Sequence, residues 1–108
     1  MVRHAHPLNL FAIRLKSARE RIGISQMELG VRAGIDESTA SARINQYERS
    51  KHTPDFSTAC NLAKVLGVPP AYFYTEDDGL AGLLEIYGSL TPSKRKNLLQ
   101  MVSSFVVN

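Results

Sequence analysis

Through most of the chain apolar residues recur at three- and four-residue steps, the spacing that lines one face of an α-helix. No segment alternates β-branched and aromatic residues with polar ones over the length of a strand, so the pattern predicts an all-α fold. A first helix is expected from about Pro7 or Asn9 to Ile22, with Leu8, Phe11, Leu15, Ala18 and Ile22 facing inward and Gly23 as its stop. Ser25 opens a second helix, and Glu28 three residues on completes the reciprocal arrangement of a capping box. Met27 and Leu29 begin the buried side of that helix, and Gly34 closes it. Asp36 is placed to cap a third helix that runs to about Glu48. Two short helices about a tight glycine turn form the unit on which the rest is organised.

After a polar loop, Asp55 caps a fourth helix with Phe56, Ala59, Leu62, Ala63 and Leu66 inward and Gly67 at its end. Pro69 and Pro70 introduce a short fifth helix through Tyr74, whose Tyr72 and Phe73 close the core. Glu76 to Gly79 reads as a domain boundary, because three acids and a glycine interrupt the apolar pattern. Beyond it Leu80, Leu83, Leu84, Tyr87 and Leu90 make one apolar stripe, and Thr91-Pro92 starts a last helix with N-cap and N1 chemistry. That helix carries Leu98, Met101, Val102 and Phe105 on one side, widened by Leu99 and Val106. The expected organisation is thus a five-helix unit over 7–75 and a C-terminal pair of amphipathic helices over 79–107.

The first unit contains Arg14-Leu15-Lys16, Arg19-Glu20, Gly23-Ile24-Ser25-Gln26-Met27-Glu28-Leu29, Ala33-Gly34-Ile35, Tyr47-Glu48-Arg49, Pro54, Leu62 through Val68 and Tyr72-Phe73. In this order they resemble the lambda-repressor-like helix-turn-helix family, which includes phage repressors, Cro and Xre regulators. The resemblance implies a transcriptional regulator, acting as a dimeric repressor or activator with repression the favoured sign, whose partner is double-stranded DNA. It also implies that Gln26 contacts phosphate, that Arg19 and Glu48 form an ion pair orienting the recognition helix, and that Ser41, Ala42 and Gln46 occupy base-contact positions. One departure stands out: eleven residues separate Gly34-Ile35 from Tyr47-Glu48, about one helical turn more than the family pattern. Such an insertion keeps the inward stripe in phase, so either a longer recognition helix or a longer turn before it is expected.

The residues give a parallel physical reading. On a helical wheel of the third helix Ala40, Ile44 and Tyr47 lie together, which leaves Ser38, Thr39, Ala42, Asn45, Gln46 and Arg49 on or near the opposite face and Arg43 at its flank. Short polar side chains suit base reading: Gln or Asn pairs bidentately with adenine, and an Ala methyl meets the thymine methyl. Arg14, Arg21, Ser25, Gln26, Arg49, Lys51 and His52 are the candidate phosphate contacts around it. Outside this motif the same helix face would read as merely solvated.

Charge supports a polyanionic partner through its distribution more than its total of +3. Through Gly67 there are ten Lys or Arg against six acids, and beyond it three against four. The 108 residues allow one compact domain with an appendage. A single cysteine, Cys60, rules out an intrachain disulfide and multi-cysteine zinc patterns, and its apolar neighbours predict a small buried residue. His4 and His6 lack a third ligand nearby, so no metal or cofactor is expected. Neither HExxH, a glycine-rich phosphate loop nor GxSxG occurs, and no enzyme activity is expected. Without an apolar run of ~18 residues or a leader-like start, the chain is expected to be cytoplasmic and away from membranes. The C-terminal stripe, with Leu83, Leu84, Tyr87, Leu98, Met101, Val102 and Phe105, is the expected homodimer interface. Its rivals are packing onto the same chain's core and docking of another protein, such as an antagonist or the toxin partner of an antitoxin.

Overall fold

A computed structural model of the chain describes residues 9–106. The expected helix start at Pro7, the Leu8 position of the first stripe and the His4/His6 pair lie outside the described residues. Six α-helices and one 3-10 turn follow in order: α1 Leu10–Ile22, α2 Gln26–Arg32, α3 Glu37–Glu48, α4 Phe56–Leu66, the 3-10 turn Pro70–Tyr74, α5 Asp78–Ser89 and α6 Pro92–Val106. Among the described residues there is no strand.

Local chemistry sets most of these boundaries. Ser25, Asp36, Asp55 and Asp77 each accept a backbone N–H from the first turn of the following helix, satisfying a donor that the helix itself leaves unpaired. At Ser25 only half of the expected box forms, since the Glu28 carboxylate takes Arg32 one turn further on. Gly23 and Gly67 end α1 and α4 in the left-handed region, at φ 76° and 72°.

The core gathers Leu15 and Ala18 from α1, Leu29 from α2, Ile44 and Tyr47 from α3, Ala59, Leu62, Ala63 and Leu66 from α4, and Tyr72 and Phe73 from the 3-10 turn. Phe11 packs on Phe73 with ring centroids 4.6 Å apart. Three inward expectations need correction: Ile22, Met27 and Phe56 are exposed, Phe56 by 68%. Each sits at an end of its helix, Met27 and Phe56 in the first turn and Ile22 in the last. Cys60 is half-buried beside the core instead of within it.

The expected boundary at Glu76–Gly79 is instead a seam. Asp77 caps α5, and Arg14 reaches from α1 to the carbonyls of Thr75 and Glu76 and to the Asp78 carboxylate at 3.0 Å. Ala81 is part of the core and Leu84, half-buried, packs against it, so Leu84 serves its own chain as well as the apolar stripe. Near the end of α5 a Cβ built on Gly88 would fall 2.2 Å from the Gly67 carbonyl oxygen, which shows how closely the helix meets the end of α4. Only α6 stands apart. None of its residues is buried, and the radius of gyration of 15.2 Å exceeds the ~13 Å of a compact chain of this length.

Candidate nucleic-acid interface

The turn between α2 and α3 is short, with Gly34 at φ 93° and Asp36 already capping α3. The extra residues noted in the sequence therefore lengthen α3, which is 12 residues long. Its seat is tight: a Cβ on Gly30 would lie 2.8 Å from the Ala40 Cβ and 3.1 Å from Ala40 backbone atoms, so the two helices all but touch there. One turn on, Ile44 and Tyr47 anchor the same face of α3 in the core.

The far end of α3 is held by charge. Arg19 of α1 donates through Nε and Nη2 to the two carboxylate oxygens of Glu48, at 2.6 and 3.0 Å, and through Nη1 to the Ile24 carbonyl at 2.9 Å. The Glu48 side chain is only 3% exposed. Its hydrogen bond holds the Arg19 guanidinium above the usual arginine range, against the opposing effect of burial. Gln26 joins this knot. Its Nε2 donates to Glu48 at 3.0 Å and to Asn45 Oδ1 at 3.3 Å, so the amide is directed into the contact between α2 and α3. The sequence had suggested an outward, phosphate-facing Gln26; two acceptors on the neighbouring helix draw it inward instead.

The other sequence-derived residues separate into two groups. Ser38, Thr39, Ser41, Ala42, Arg43, Gln46, Arg49, Lys51 and His52 are all exposed along α3 and the loop after it, with Asn45 half-buried among them. Ser50 turns the chain there at φ 61°, and the Lys51 N–H returns to the Gln46 carbonyl at 2.9 Å. A polar cleft of about 400 Å³ opens between Arg43, Gln46 and His52 on one side and Thr53, Asp55 and Thr58 on the other. The second group lies elsewhere. Arg14 is buried, with its guanidinium spent on the seam to α5, so its expected phosphate role is corrected. Arg21 pairs with Glu85 of α5 at 3.0 Å and is likewise drawn away from α3.

The ion pairs among the described residues use Arg14, Arg19, Arg21 and Arg32. Arg43, Arg49 and Lys51 therefore present unpaired charge beside the exposed face of α3. Two details were not readable from the sequence: Ser38 and Thr39 donate their hydroxyls to Asp36, and Asn45 has its oxygen occupied by Gln26. Side chains committed in this way depend on partners that no periodicity reveals. No group of three or more potential metal ligands occurs among the described residues.

A short helix laid across a longer one whose outer face is polar, flanked by unpaired cations, defines a helix-turn-helix protein. The chain belongs to the helix-turn-helix family of the Xre and lambda-repressor type, whose family model matches residues 15–73. It is a DNA-binding transcription regulator of that kind. Among solved structures it is similar to the transcriptional regulator BswR, at 48% identity and a TM-score of 0.76, with 86% of this chain and 92% of that one covered. No curated protein matches it. No helix among the described residues is long and apolar enough to cross a membrane.

Proposed function

We propose that the chain binds an operator in duplex DNA as a homodimer and represses transcription from within the cytoplasm, with α3 of each copy in the major groove. The observation that carries this is the division of α3 into a face locked by Ala40, Ile44 and Tyr47 and an exposed polar face beside unpaired cations. A helix of ordinary width fits the groove, and the tight contact at Gly30 together with the Arg19–Glu48 pair supports a fixed entry angle.

Gln46 is exposed with both ends of its amide free for a bidentate contact to adenine. With one lone pair of Oδ1 taken by Gln26, Asn45 offers a base its free Nδ2 donors first, which suits guanine or a thymine carbonyl. Ser38 and Thr39, already donating to Asp36, act toward a base as acceptors. Ser41 and Ala42 complete the face, with Arg43 at its flank; Ser25, Arg49, Lys51 and His52 contact phosphates.

The dimer is supported by α6, whose Met101, Val102 and Phe105 are exposed together with Leu99 and Val106. A patch of this kind needs cover, and two-fold dimers match palindromic half-sites. The same face favours one rival, in which it takes a protein antagonist or toxin. Selection of bound duplexes from a random pool, followed by a salt titration, tests the main reading. A two-part site is expected, with affinity falling steeply in salt and Gln46→Ala relaxing one base position by about 1–3 kcal/mol. Recovery of no common sequence, or a monomer by light scattering both free and on DNA, would overturn it.

A further inference from the structure

An arm that buries none of its own residues owes its direction to whatever holds its base. In α6 only Arg95 and Leu98 are even half-buried, and Arg95 makes the polar ties. Its Nε donates to the Tyr87 carbonyl at 3.0 Å and its Nη2 to the Gly88 carbonyl at 3.3 Å. The guanidinium carbon also lies 4.7 Å from the centroid of the Tyr87 ring. The two carbonyls belong to the last turn of α5, where a helix runs out of donors of its own; the Tyr87 carbonyl also accepts the Leu90 N–H at 3.1 Å. A planar fork can span both and stack on the ring at once, which a lysine ammonium cannot.

The base that Arg95 grips is itself fixed to the reading unit. Gly88 is pressed against Gly67 and Val68 at the end of α4, and Arg21 and Tyr72 both reach Glu85 one turn earlier. Between the two helices the chain has only Leu90 and Thr91 to set the bend. Leu90 lies in extended backbone at φ −87° and ψ 147°, a broad region that does not define an angle by itself.

We propose that Arg95 is a specificity-determining residue of the operator contact. By locking α6 to the end of α5, it fixes the separation at which two copies joined through α6 present their α3 helices, and so the spacing of half-sites that the dimer accepts. This rests on the dimer reading above. Arg95 touches no base in this account and acts through the angle of the arm.

The test uses the full chain and duplexes carrying two selected half-sites at the preferred spacing, or at spacings changed by up to about half a helical turn. The wild type is expected to lose at least about tenfold in affinity at the wrong spacing, because the second half-site can no longer be engaged. R95A is expected to remain a dimer by light scattering and to keep its affinity for a single half-site, while the spacing penalty shrinks to less than about threefold. R95K retains the charge without the fork and should behave as R95A does. If R95A fails to fold by circular dichroism, R95K decides. A fully retained spacing penalty in the deciding variant overturns the role of Arg95. A wild-type dimer indifferent to spacing also overturns it and leaves the dimer reading intact. A wild type that binds only as a monomer removes the dimer and this inference together.

Discussion

In α4 the inward positions Ala59, Leu62, Ala63 and Leu66 are all buried, whereas α6, a longer helix with a weaker apolar stripe, buries nothing. Both carry an N-cap, so capping does not distinguish them: Asp55 receives the Thr58 N–H and Thr91 the Lys94 N–H. The distinction lies in what each stripe finds. The α4 stripe meets α1, α2 and the 3-10 turn within its own chain. For α6 the arm meets its chain at its first turns, and a solitary helix of this length is marginal in water. An amphipathic pattern thus specifies a face to be covered but not the molecule that covers it.

The largest expected loss attacks the body. Glu48→Ala strands the nearly buried Arg19 guanidinium and should lower unfolding free energy by about 3–5 kcal/mol in denaturant titration. Arg19→Ala should do likewise, and the double variant should be no worse than either; additive losses would mean that the two do not act as a pair. Next comes the direct contrast. Leu62→Ala should cost about 2–5 kcal/mol of stability in the body, while Phe105→Ala, at a position 82% exposed, should leave unfolding of the monomer within about 0.5 kcal/mol. The same Phe105 variant should weaken the dimer at least about tenfold by analytical ultracentrifugation. Monomer destabilisation equal to that of Leu62→Ala would erase the difference between the two regions.

A smaller effect separates them by pH. Hydrogen bonds from the Ser38 hydroxyl and N–H hold the Asp36 carboxyl below the usual range, and the Thr58 N–H does so for Asp55. Because the folded values are depressed, the caps contribute fully above the unfolded aspartate value of ~3.9 and are lost as pH falls through the folded values. Melting temperature should therefore drop on acidification from about pH 5 to pH 2, and less so in D36N/D55N, whose caps do not titrate. The cap of α6, Thr91, has no charge to lose, so this acid response belongs to the body. The smallest change is a gain: Ser50→Gly relieves a left-handed residue at φ 61° and should stabilise by about 1 kcal/mol, read as a rise in melting temperature with DNA affinity retained.

What the sequence made legible was local or periodic. Ser25, Asp36 and Asp55 cap where they were expected to, and the Ala40, Ile44 and Tyr47 stripe is buried, because each depends on neighbours within a turn or two. The extra turn of α3 was foreseen as one of two outcomes, and the structure places it in the helix. Arg14, Arg21 and Gln26 have partners within the chain that the sequence did not reveal, for a common reason. A polar side chain on a helix surface looks free until the carbonyl or carboxylate that claims it is known, and for Arg14 those acceptors lie more than sixty residues away. The acid run after Thr75 likewise looked like an interruption, although Asp77 and Asp78 are the parts that fasten α5.

Arg14 also bears on how this protein is to be cut. An excised reading module ending at Thr75 would keep every residue matched by the family yet discard Asp78, the Glu76 carbonyl and the core contribution of Ala81. A full positive charge would then keep only the Thr75 carbonyl out of its set of acceptors and lose its carboxylate partner. A fragment meant for fusion to another effector should therefore run through Ser89, where α5 ends, leaving only the arm to be exchanged.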